Sequence, residues 1–267
     1  MSATSEKPQR RAQPPSLPEP LSMDVSGKCA VKYVDMKAAG HKPQQPTIVF
    51  IHGSPGTYKD FRYLMPLFTQ GDVRVIGINL PGFGGSEVLD TKNHYEHISA
   101  LGEAAIAYEA LVQICKGEES VFFVGHSFGG LTTLHLVAMN AEEAQLKLRG
   151  IGLLASTGYL VSSLTESLVR TIYTSVFGFP SNEPTSHYVT GLIRCHTTSF
   201  DLVNEYINQA AQLPSFLAWV KDDPLIEENI FVRMSEQLRP GSRFAFDKAG
   251  HNLQKSKADV LAVELTR

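Results

Sequence analysis

"VFFVGHSFGGL", Val121 to Leu131, is the stretch whose reading decides the fold. Four apolar residues run into Gly125, Ser127 stands between Gly125 and Gly129, and a second apolar stretch follows. A serine gains nothing for a core there. Either it is a turn residue that falls at a strand end, or the backbone is bent to present it. Val121–Val124 reads as a buried strand, and about Gly129 to Asn140 carries a helical pattern. In the context strand–tight turn–helix, Gly-x-Ser-x-Gly lifts a serine hydroxyl above a sheet edge as a nucleophile elbow. Gly125 and Gly129 supply room where the strand and helix backbones crowd together. The serine takes a strained backbone conformation costing on the order of 1–3 kcal/mol. It also sits at a helix N-terminus, where the dipole favours developing negative charge.

Outward from this stretch, apolar runs and helical patterns alternate. "KCAVKYVDM" (Lys28–Met36) alternates like a half-buried strand, while "TIVFIHG" (Thr47–Gly53) and "VRVIGINL" (Val73–Leu80) are continuous runs. Ile98–Cys115 reads as a long amphipathic helix, and "GIGLLA" (Gly150–Ala155), "FLAWV" (Phe216–Val220) and "RFAF" (Arg243–Phe246) as further strands. A helix spans Pro224–Leu238 and a short one closes the chain near Ala258–Thr266. Alternating strands and helices signify a parallel sheet covered on both faces. Gly158 to Pro214 breaks the rhythm: it holds helical patterns and aromatics (Tyr159, Tyr173, Phe177, Phe179, Tyr188, Phe200, Tyr206) but no strong strand. The expected division is a disordered tail over 1–24, core over 25–157, a helical insertion over 158–214, and core again over 215–267.

Composition narrows the function classes. The chain has 267 residues, 43% hydrophobic and 19% charged, with a formal net charge of -3, ample for one large α/β domain and without a basic stripe for nucleic acid. Cys29, Cys115 and Cys195 are odd in number and lack metal spacing, which suits a reducing compartment. The Pro-rich start has no apolar signal region. Val121–Ala141 lacks Asp, Glu, Lys and Arg, but its glycines, serine and histidines fit a strand, a break and a helix better than a membrane span. A cytoplasmic protein with no membrane span is expected; oligomeric state is not legible.

A reactive serine needs a base, a carboxylate and oxyanion donors. Of nine histidines, His251 alone follows the last strand, in "DKAGHNL". His126 lies within the elbow with its ring turned away from the hydroxyl, where packing is its role. "WVKDDPL" ends a strand with Asp222 and Asp223. Successive residues at a strand end point opposite ways, so one faces His251 and the other is solvated or caps the next helix. Asp223 is taken as the partner. The backbone amides of Phe128, after the serine, and of Ser54, in "HGSPG" (His52–Gly56), are the expected oxyanion donors.

"HGSPG", "NLPGFGGS" (Asn79–Ser86), "GHSFGG", "KDDP" and "AGH", in this order, resemble the α/β-hydrolase superfamily, particularly its capped esterase, C–C hydrolase and proline-iminopeptidase-like members. The resemblance runs from about Lys28 to the C-terminus, except the insertion. It implies an eight-stranded, mostly parallel sheet flanked by helices, a helical lid inserted after the sixth strand, and no cofactor. Asn79 stands where the family often has Asp, and Val220 where it often has Gly. Relatives that open epoxides or remove halides use Asp as nucleophile, where this chain has Ser127. The reading is a serine hydrolase (carboxylesterase-like) acting on a small, apolar ester-type substrate through Ser127, Asp223 and His251. A C–C hydrolase or an aminopeptidase would keep the same three residues, and a ligand-binding receptor could keep the same scaffold.

Overall fold

The computed structural model describes residues 16–69, 71–158 and 186–266. Among these, nine strands make one sheet: β1 (Leu21–Val25), β2 (Cys29–Met36), β3 (Thr47–Ile51), β4 (Arg74–Ile78), β5 (Glu87–Val88), β6 (Val121–His126), β7 (Leu148–Leu154), β8 (Ser215–Val220) and β9 (Arg243–Phe246). The order is β1-β2-β4-β3-β6-β7-β8-β9, with β5 paired to β2 off this path. The pairs from β4 through β9 along this path are parallel, and those made by β2 are antiparallel. The expected mostly parallel sheet is thus present. It has one strand more than the eight expected, the extra being the two-residue β5.

The tail boundary also moves. Residues 21–24 of β1, assigned to the tail on composition, pair with β2, in a register that runs from Leu21↔Tyr33 to Val25↔Cys29. Only Val25 of this strand is fully buried, so it carries almost no alternating signal. Residues 1–15 lie outside the described set.

β3, β4 and β8 are buried at every position. Both faces of the sheet are covered, which is why these strands read as unbroken apolar runs. Helices Ala100–Ile114 and Phe128–Glu143 pack together, and Phe50, Phe61, Phe123 and Phe231 are among the largest buried side chains. Because β3, β6, β7, β8 and β9 run parallel, the loops after them leave one rim, where ligands sit in open α/β sheets. Of the predicted insertion, helices His187–His196 and Phe200–Ala210 are described, whereas 159–185, with Tyr159, Tyr173, Phe177 and Phe179, lie outside the described residues. Among the described residues no helix is long and apolar enough to cross a membrane.

Candidate active site

The elbow forms where β6 meets the helix Phe128–Glu143. Ser127 has φ 55° and ψ -125°, a region that side chains rarely adopt. The surroundings hold it there. Its N–H donates to the Leu154 carbonyl at 3.0 Å, and its carbonyl accepts from Gly130 N–H at 2.9 Å and Thr157 N–H at 3.3 Å. A side chain at Gly125 would overlap the Gly129 carbonyl, and one at Gly129 the Ile51 carbonyl. These two glycines are therefore steric requirements of the turn.

The sequence-predicted residues converge on Ser127. His251 Nε2 lies 2.9 Å from Ser127 Oγ, and His251 Nδ1 lies 2.8 Å from Asp223 Oδ2. The Asp223 side chain is fully buried, that of His251 is 11% exposed, and Ser127 is buried. Asp223 Oδ1 accepts from the amides of Leu225 (2.8 Å) and Ile226 (3.2 Å). Burial alone would raise the Asp223 carboxyl. The hydrogen bond and charge of His251 and those two amides nevertheless hold it below the ordinary aspartate value. A carboxylate in this position fixes the Nδ1–H tautomer and leaves Nε2 to accept the serine proton.

Asp222 is exposed, as expected of the second aspartate, and in addition its Oδ1 accepts from the amides of Ala249 (3.2 Å) and Gly250 (3.3 Å). The two aspartates divide the work at one strand end, Asp223 holding the His251 ring and Asp222 holding the loop that carries it.

Of the two expected oxyanion donors, Phe128 directly follows the serine, and Ser54 follows Gly53 in the loop after β3. Phe128 is the first residue of its helix, so its amide has no acceptor within that helix. Gly53 approaches closely enough that an added Cβ would sit 2.9 Å from Ser127 Cβ. His52, which sequence reading left without a role, fixes this loop. Leu80 N–H donates to its Nε2 at 3.0 Å, so Nδ1 carries the proton and donates to the Gly53 carbonyl at 2.7 Å. Burial pushes the His52 ring down to about 4, keeping it neutral. Asn79 uses both ends of its amide: Oδ1 accepts from Tyr58 N–H and Nδ2 donates to the Gly84 carbonyl, each at 2.8 Å. An ionised aspartate could not make the second bond.

The helix His187–His196 covers this rim. A Cβ at Gly191 would meet Ser54 Oγ at 2.5 Å, and His187 packs its ring 5.9 Å from Phe83. Arg194 is 1% exposed, ion-pairs with the buried Glu103 and donates to the Phe128 carbonyl at 3.0 Å. Its guanidinium also lies over the Phe128 ring. The sequence signals helical patterns in 158–214 but not that Arg194 faces inward, because its partner Glu103 lies on a distant helix.

Comparison with known proteins agrees with this architecture. The family model described as "Alpha/beta hydrolase of unknown function (DUF1057)" matches residues 24–263. An uncharacterised protein of Caenorhabditis elegans is 29% identical over 128 residues, 48% of this chain and 34% of its own length. Epoxide hydrolase 3 of Xenopus tropicalis is 28% identical over 117 residues, 40% and 30% of the respective chains. The chain thus matches about a third of the length of these relatives. Among solved structures, haloalkane dehalogenase DpaA from Paraglaciecola agarilytica superposes with a TM-score of 0.72 at 16% identity, covering 94% of both chains.

Proposed function

Because the chain belongs to the α/β-hydrolase family DUF1057, the open question is which bond it breaks, and we propose an ester-type bond of a small, apolar substrate, cleaved through an acyl-enzyme on Ser127. The observation that carries this reading is the unbroken hydrogen-bonded line from Asp223 through His251 to Ser127 Oγ. His251 takes the Ser127 proton as the oxygen attacks the carbonyl carbon. The amides of Ser54 and Phe128 hold the oxyanion, each donor being worth about 2.7–4 kcal/mol. His251 then gives its proton to the leaving group, and later takes one from the water that releases the acyl group.

Ser127 argues against carrying over the chemistry named for the two enzymes above. An aspartate at the elbow attacks a saturated carbon to give an alkyl ester, whereas a serine with a neighbouring histidine is suited to acyl transfer. The helices His187–His196 and Phe200–Ala210 serve in this reading as the described part of a lid spanning 158–214, set after the sixth strand of the main path. A panel of esters, thioesters, lactones and aminoacyl amides, with Ser127→Ala as blank, tests it. Turnover of esters abolished in the variant is the expected result. Preferred cleavage of aminoacyl amides, or of the carbon–carbon bond of a β-diketone added to the panel, would reassign the substrate, and single binding without turnover would make the chain a receptor.

A further inference from the structure

His126, beside the nucleophile, has no part in the reaction just described, yet it is buried and fully hydrogen-bonded. Its Nε2 lies 3.0 Å from the His251 carbonyl oxygen, and its Nδ1 lies 3.4 Å from Gln254 Nε2. A carbonyl can only accept, so Nε2 carries the proton and Nδ1 is left as an acceptor. The Gln254 amide fits that tautomer, since its NH2 faces Nδ1 and also reaches Asn252 Oδ1 at 3.3 Å. The two rings, His126 and His251, pack with centroids 4.9 Å apart. Gln254 is completely buried, on the short helix Leu253–Ser256 that follows the base.

We propose that His126 and Gln254 are a positioning pair that holds the backbone of His251, so that its imidazole stays within proton-transfer reach of Ser127. This rests on the acyl-transfer reading above. His251 is then fixed at three places: its ring by Asp223, the loop before it by Asp222, and its own carbonyl by His126. Neither of the first two restrains the peptide that follows the base, and a rotation there would swing Nε2 away from the hydroxyl. The strut must also not become a second cation beside the base. Burial first, and then the charge of His251, push the His126 ring down to about 3, so it stays a neutral donor while His251 cycles.

The choice of a histidine at this elbow position follows from reach. Leucine or phenylalanine would fill the space against Phe61, whose ring lies 6.4 Å from that of His126, but could not donate to the carbonyl. Glutamine can donate from a similar distance along its side chain.

The test compares His126→Phe, His126→Gln and Gln254→Leu, each normalised to active sites titrated with a fluorophosphonate. His126→Phe is expected to lose about 10²-fold in kcat, the cost of ~1 Å of misplacement, with little change in KM, while His126→Gln stays within about threefold of the parent. Gln254→Leu, which keeps the ring but removes the donor to its Nδ1, is expected to lose roughly three- to tenfold, one hydrogen bond's worth. If His126→Phe and His126→Gln lose equally, or if the loss vanishes on normalisation, the pair merely packs and the proposal is overturned. If His126→Phe does not fold, Gln254→Leu with parental kcat per site overturns it alone. Full activity in Ser127→Ala would instead overturn the acyl-transfer reading.

Discussion

Replacing Arg194 by methionine tests how the covering helix is fastened to the nucleophile's helix. Arg194 and Glu103 each have side chains 1% exposed, and their ion pair joins His187–His196 to Ala100–Ile114. Thr132 and the Phe128 carbonyl complete the contact on the nucleophile's own helix. Among the described residues Arg194 Nη1 and Glu103 Oε2 find no partner, so the pair is desolvated without being fully satisfied there. Arg194→Met leaves Glu103 buried and unpaired, a loss of about 3–5 kcal/mol. At 2–4 °C per kcal/mol for a chain of this size, the melting temperature falls by roughly 6–20 °C. Burial already raises the Glu103 carboxyl above its ordinary value, against the pull of Arg194. The folded variant therefore holds a proton that the unfolded chain releases, and its deficit grows as pH rises above the unfolded value of 4.5. The double variant Arg194→Met/Glu103→Leu removes the stranded charge and is expected to recover most of the loss. Thermal and urea unfolding of both singles and the double measure the coupling. A single variant as stable as the parent, or a double as unstable as the single, would refute the argument.

Ser127→Gly and Ser127→Ala should both abolish turnover, yet the glycine variant should be the more stable by about 1 kcal/mol, because φ 55° penalises any side chain. Equal urea midpoints would show that the elbow is unstrained. Asp223→Asn should lower kcat by about 10⁴-fold, since the amide can present a donor to Nδ1 and favour the wrong tautomer; a loss under tenfold would place the orienting carboxylate elsewhere. At the opposite end of the sheet, Glu118 accepts from Arg74 at 2.9 Å and Thr47 at 3.0 Å and lies 2.9 Å from His41 Nε2. Burial opposes its ionisation, but the hydrogen bonds of His41 and Thr47 and the charge of Arg74 hold its carboxyl below the ordinary 4.5. Stability from such a group is complete above the unfolded value and is lost as pH falls through the folded one. Parental stability should therefore decline more steeply below pH 4.5 than that of Glu118→Gln; parallel declines would contradict the assignment.

What was legible in the sequence follows from how local each cause is. The elbow could be read because two backbones crowd within five residues and only small side chains fit. Asp223 and His251 could be read because each ends a strand on the same rim. The division of labour between Asp222 and Asp223 could not, since it depends on which way a loop returning some 27 residues later presents its amides. β1 escaped notice because an edge strand buried at one position lacks periodicity. Arg194 and His126 escaped for another reason. Their partners, Glu103 and the His251 backbone, are joined to them only by the tertiary fold, and an isolated arginine or histidine reads as solvated or packed.

The most direct measurement is covalent labelling by a fluorophosphonate followed by peptide mapping. The line Asp223–His251–Ser127 predicts one adduct, on Ser127, absent from Ser127→Ala and much slower to form in His251→Ala. An adduct on another residue, or Ser127 labelled at the parental rate without His251, would contradict it.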